Sequence, residues 1–163
     1  MLLTVLIFGI NKRKDEQQRR IKNSADCVTL FGVDERRHLE MSEHDEQVKL
    51  FTWASYLETQ IPELKMMFHI PNGGHRYKAV AVKMKAEGVK AGVPDIFLAV
   101  PRSGGFHGLF IEMKAGRNKT SEKQNEWIAK LIQSGYLVVV CYGFEEAKRE
   151  ILDYLDVEDS TEI

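Results

Sequence analysis

The chain has 163 residues, 44% apolar and 29% charged, with a formal net charge of -1; such usage fits one globular core and excludes collagen-like, low-complexity and disulfide-scaffold classes. No stretch approaches the roughly 20 apolar residues of a membrane span, and the run from Met1 to Ile10 lacks the basic start and small-residue cleavage site of a secretory signal. Cys27 and Cys141 lie too far apart for a C-x-x-C metal pattern, so a reducing cytoplasm is the expected compartment.

Residues 1–41 combine a short apolar run, a charged stretch and a segment without clear period. They are expected to be an extension, either poorly ordered or an artefact of start-site choice with Met41 as initiator. A folded domain is expected over 42–157 and an acidic tail over 158–163. Ser42, followed by Asp45 three residues on, opens a helix with a capping-box-like start that ends near Gln60, ahead of Pro62. Leu64–Ile70 reads as a strand and Pro71–Gly74 as a loop. A second helix runs from about His75 to Glu87, with Gly88 just past its end. Asp95–Val100 and Phe106–Lys114, joined by the turn residues Pro101–Gly105, form a hairpin. Thr120 or Ser121 then caps a helix through Gln133, Gly135 ends it, and Tyr136–Cys141 is expected as a fully buried strand. A last amphipathic helix covers about Phe144 to Leu155. Strands interleaved with helices in this way predict an α/β fold with a mixed sheet covered on both faces.

The hairpin places the chemistry. If it folds about the middle of its turn, paired residue numbers sum to 207, and Asp95 stands across from Glu112. Directly opposed residues have Cβ atoms roughly 4.5–5.5 Å apart, so two carboxylates there repel unless a cation joins them. Strand period puts Lys114 on the same face as Glu112. Two carboxylates and one ammonium suit phosphodiester hydrolysis: hard oxygen donors hold Mg2+ or Mn2+, and the ammonium orients water or offsets phosphoryl charge. The plain alternative is a surface ion pair.

Charge is unevenly spread. Between Pro71 and Lys123 there are ten Lys or Arg against four Asp or Glu, a local +6 inside a chain of -1. Arg76, Lys90, Arg117, Lys119 and Lys123, with Asn72 in the preceding loop, are the candidate DNA contacts. On the first helix, Glu43 and Gln47 extend one apolar stripe while Glu46 extends an overlapping one, so either acid can be the one that matters. Gln124 lies on the stripe of Trp127, Ile128 and Leu131 and turns an amide inward near a helix start. The five histidines lack zinc-site spacing, and neither a G-x-S-x-G elbow nor a Gly-Lys-Ser/Thr phosphate loop is present, so no nucleotide cofactor is expected.

The segments Gly88–Asp95, Phe110–Lys114 and Ser121–Gln124, together with Ile70–Gly74, resemble the VRR-NUC family of the PD-(D/E)-x-K nuclease superfamily over about Ser42 to Asp156. The resemblance implies a restriction-endonuclease-like core over 42–157. It also implies Asp95 and Glu112 as metal ligands with the Met113 backbone carbonyl, Lys114 as the catalytic lysine and Gln124 as support. Glu43, matched with Gln47 better than Glu46 is, is implied to contribute to metal or water binding beside Asp95. The implied activity is that of a Mg2+- or Mn2+-dependent DNA endonuclease, a homodimer acting on branched DNA such as Holliday junctions, from a bacterium or a phage-infected cell. A flap or nicking nuclease is the alternative within that class, and a non-cleaving DNA-binding module the alternative outside it. Val140-Cys141-Tyr142 departs from the family pattern, in which an Arg commonly follows the valines.

Overall fold

The computed structural model describes residues 41–71, 78–102 and 105–158. All but Gly105 of these belong to one compact unit, and among them no helix is long and apolar enough to cross a membrane. The expectations for 1–40, Asn72, His75 and Arg76, and the acidic tail beyond Glu158, lie outside the described residues.

Helix α1 spans Glu43–Leu57 and starts as its sequence dictates: the Ser42 hydroxyl accepts from the Asp45 N–H, and the Asp45 carboxylate accepts from the Ser42 N–H. Its stripe Leu50, Ala54 and Leu57 is buried. The next segment differs from expectation. Residues Pro62–Met66 form a 3-10 turn, and strand β1 is confined to Met67–His69. Pro62 at the first helical position, with Glu63 behind it, nucleates that turn, since proline has no N–H to lose there and a pre-set φ.

Helix α2 covers Lys78–Ala86 and closes through Gly88 at φ +96°, with Gly88 N–H donating to the Lys85 carbonyl and Val89 N–H to that of Met84. Strand β2 is Ile96–Leu98 and β3 is Leu109–Lys114. Their pairs Ile96 with Ile111, Phe97 with Phe110 and Leu98 with Leu109 carry the anticipated register. Both strands are shorter than expected on the turn side, and at the tip Arg102 pairs with Phe106, one residue out of step with the strands. Arg102 donates to the Tyr154 and Leu155 carbonyls at the end of the last helix, which ties the tip down independently of the strand ladder.

Helix α3 spans Glu122–Gln133 behind Ser121 and ends at Gly135, φ +87°. Strand β4, Leu137–Tyr142, pairs parallel to β3, and α4 runs from Phe144 to Leu155. The sheet order is β1-β2-β3-β4, antiparallel except for the last pair. Being an edge, β4 is not the fully buried strand expected: Leu137, Val139 and Val140 are half-buried and Tyr142 is exposed. One face, bearing Leu109, Ile111 and Met113, packs on α1 and α4. The other bears Phe110, Val138 and Phe97 and packs on Ile128, Leu131 and Ile132 of α3. Glu112 and Lys114 alternate with Met113 and so share the α3 face with Phe110.

Candidate active site

Asp95 sits one residue before β2, where the pairing register carries it opposite Glu112. Its backbone carbonyl accepts from the Ile70 N–H at 2.7 Å and from His69 Nδ1 at 2.9 Å, which holds the residue against β1. Its Oδ2 accepts from the Met113 N–H at 3.0 Å, so the side chain is fixed against β3 as well. Burial pushes the Asp95 carboxyl above the usual range, with the Met113 N–H and Lys114 pulling the other way.

Glu112 is fully buried, at 0% exposure. Lys114 Nζ donates to its Oε1 at 2.6 Å and to the Met113 carbonyl at 3.0 Å, and lies 3.9 Å from Glu43 Oε1. Gln124 Nε2 donates to the same Glu112 Oε1. The other oxygen, Oε2, has no partner; among the described residues only it and Trp53 Nε1 are buried side-chain polar atoms in that condition. Burial first, and the neighbouring Asp95 second, push the Glu112 carboxyl up to about 7 despite the lysine beside it. An orphaned buried carboxylate oxygen costs free energy unless something cationic meets it.

Gln124 has a second bond that sets the first. As the third residue of α3 its Oε1 accepts from the Ser121 N–H at 2.8 Å, while Ser121 Oγ accepts from the Gln124 N–H at 3.3 Å. This capping box uses up the amide oxygen and turns the NH2 toward Glu112. The capping role and the supporting role of Gln124 therefore coexist. Close approach of α3 to the loop that enters β2 depends on Gly92: at φ +92°, an added Cβ would come within 2.8 Å of the Lys123 backbone.

The two acids of α1 part company. Glu43 Oε1 accepts from Asn118 Nδ2 at 3.0 Å and faces Lys114. Glu46 turns away from Lys114 to the start of α4, where its Oε2 accepts from the Phe144 N–H at 2.8 Å and caps that helix, whose preceding residue Gly143 has no side chain to do so. Neither Asn118 nor the Glu46 cap was anticipated. Gly143 directly before the Phe144 helix was the available signal for the cap, whereas Asn118 sits in an irregular loop and its partner is 75 residues away. Of the candidate DNA contacts, Lys90, Arg117, Lys119 and Lys123 are all exposed and make no ion pair with another described residue. Arg117 and Lys119 flank Asn118 on the loop that follows β3.

Asp95, Glu112, Lys114, Gln124 and Glu43 thus converge at the ends of β2, β3, α3 and α1. A model of the VRR-NUC domain matches residues 34–145 of this chain. The chain belongs to the VRR-NUC family. A solved structure described as a VRR_NUC domain protein is 30% identical, with a TM-score of 0.61 over 74% of this chain and 93% of that one. No curated protein matches. The four-stranded mixed sheet with helices on both faces is the VRR-NUC nuclease fold of the PD-(D/E)-x-K type, and membership carries a nuclease-type function on DNA.

The donor set fits a divalent cation of the kind nuclease domains of this type typically use. Glu112 Oε2 is buried and unpartnered, and Asp95 has one oxygen beyond the one bonded to Met113. Among the described residues no three His, Cys, Asp or Glu side chains are gathered into a ready cage. Two carboxylates with water and substrate oxygens are how a small hard ion such as Mg2+ is commonly held.

Proposed function

We propose that this protein is a Mg2+- or Mn2+-dependent DNA endonuclease that cuts branched, Holliday-junction-like DNA as a homodimer during replication, recombination or repair. The observation that carries the reading is the division of labour at Glu112. One buried oxygen is saturated by Lys114 and Gln124 and the other is left without a partner beside Asp95. A salt bridge built for stability alone would satisfy both oxygens.

On this reading Asp95, Glu112 and the Met113 carbonyl would hold the ion, and the chemistry it would supply is activation of a water and polarisation of the scissile phosphate. Gln124 and Lys114 fix the Glu112 carboxylate plane through Oε1. The Lys114 ammonium, 2.6 Å from Glu112, orients the attacking water or offsets charge on the phosphoryl oxygens. Glu43, 3.9 Å from the ammonium and held by Asn118, would add to metal or water binding beside Asp95. Lys90, Arg117, Lys119 and Lys123 supply sequence-independent phosphate contacts, and a twofold pair of sites is the simplest device for two equivalent strands.

Cleavage of labelled four-way, flap and linear DNA with Mg2+ or EDTA, for wild type, Asp95→Ala and Lys114→Ala, tests this. The expected result is cutting of the four-way junction in preference to linear duplex, abolished by EDTA and reduced at least ~100-fold by either substitution. Cutting that survives either substitution removes the proposed site, and binding without cutting makes the protein a DNA-binding module.

A further inference from the structure

On the sheet face that carries Glu112, a row of rings crosses three strands. Phe110 stacks on Phe97 at 4.3 Å between centroids and 21° between planes. Phe97 meets the edge strand's Phe68 at 5.7 Å and 89°, and Tyr136 packs edge-on against both Phe97 and Phe110. The Phe97 ring lies over Gly108, where an added Cβ would come within 2.5 Å of it. The inner rings are therefore locked. Helix α3 covers Phe110 through Ile128 and Leu131, yet Phe68 at the end of the row remains 49% exposed.

Its position relative to the carboxylates follows from register. Phe68 pairs with Phe97, and Asp95 precedes Phe97 by two residues on the same face, so Phe68 and Asp95 are diagonal neighbours, on the order of 7–8 Å apart. Ile70 fills the place directly beside Asp95. The segment entering β2 packs Val93 into the same cluster as Ile70 and Phe97 and carries the exposed Lys90. A half-exposed ring backed by locked ones, a cationic approach and the carboxylate pair lie within the reach of a single nucleotide.

We propose that Phe68 is a stacking platform for one unpaired nucleobase beside the phosphate to be cut, an inference that rests on the nuclease reading above. In continuous duplex both faces of every base are already stacked, and extruding one costs free energy; an unpaired base at a branch point or bulge offers its face with least penalty. The ring at the edge strand thus selects DNA in which the nucleotide next to the cut is displaced. It reads the break in stacking and no particular sequence, because every base has a π-face.

The test is binding of the full chain, with Ca2+ present, to a fluorescent duplex carrying one unpaired nucleotide and to the continuous duplex of the same sequence. Phe68→Ala and Phe68→Leu should each weaken binding to the first by roughly 5- to 150-fold and leave the second unchanged. Phe68→Trp should bind the first as wild type does or more tightly. Leucine keeps apolar packing on Phe97 without a π-face, so unfolding does not mimic the result. Equal loss on both duplexes, or no loss on either, overturns the platform. A wild type that cuts DNA with Mg2+ while Phe68→Leu binds both duplexes normally overturns the platform alone. A wild type that neither binds nor cuts DNA overturns the nuclease reading with it.

Discussion

Glu112 is the residue through which pH should reach the site. Its carboxyl moves from an ordinary 4.5 to about 7 because burial and the Asp95 charge disfavour ionisation. A raised folded-state pKa means that the native state binds the proton more tightly than the unfolded chain does. Its stabilising contribution is therefore complete below about 4.5, declines as pH rises and is gone above about 7. Asp95, also raised, acts in the same direction. In EDTA, the unfolding free energy from urea titrations should fall from pH 5 to pH 8 by an amount on the order of 3 kcal/mol attributable to Glu112. Glu112→Gln should remove that part of the slope, and a divalent cation at pH 8 should restore wild-type stability by binding the native state alone. A slope identical in wild type and Glu112→Gln would show that Glu112 carries no such shift.

The elements show what can be read along a chain and what cannot. Ser42 with Asp45, Ser121 with Gln124, and the glycines that end α2 and α3 are local signals, and all the helices expected over the described residues are found. The register was legible for the same reason: turn residues on either side of the hairpin's midpoint left one symmetric pairing, so Asp95 and Glu112 could be matched by counting. The strand expected at Leu64–Ile70 misread a segment whose apolar residues outweighed the Pro62 signal. The edge position of β4 was not legible, since a run of valines looks alike at the centre and the edge of a sheet and strand order is a tertiary fact. Asn118 and the Glu46 cap depend on hydrogen bonds between residues 75 and 98 positions apart, for which no local pattern exists. Two glycines test how backbone conformation and close packing separate. Gly88→Ala meets only the strain of φ +96°, with nothing within 4 Å, and should cost about 1 kcal/mol. Gly92→Ala adds collision with the Lys123 backbone at 2.8 Å and should cost roughly 1–3 kcal/mol or more, measured by chemical denaturation. Equal costs would mean that the loop and α3 are not held together.

At the scale of the whole molecule, the proposed function has a chain of net charge -1 meet a polyanion through an uneven distribution of its cations. Removing Lys90, Arg117, Lys119 or Lys123 one at a time should reduce the slope of log affinity against log salt by about 0.9 for each phosphate that is no longer neutralised, across all DNA sequences alike. An unchanged slope takes that residue out of the interface. Phe68 variants should leave the slope as it is, because stacking releases no counterions. The amide of Gln124 has a further consequence. It closes the first turn of α3 with one atom and steadies Glu112 with the other, so the folding of a helix and the alignment of an acid rest on a single planar group. Glutamate there would keep the turn and set a second acid against Glu112; an apolar residue would lose both tasks. Selection for a sturdier α3 is therefore not free to choose at this position, and attempts to thermostabilise the protein have to begin elsewhere, on the exposed faces of α1 and α4.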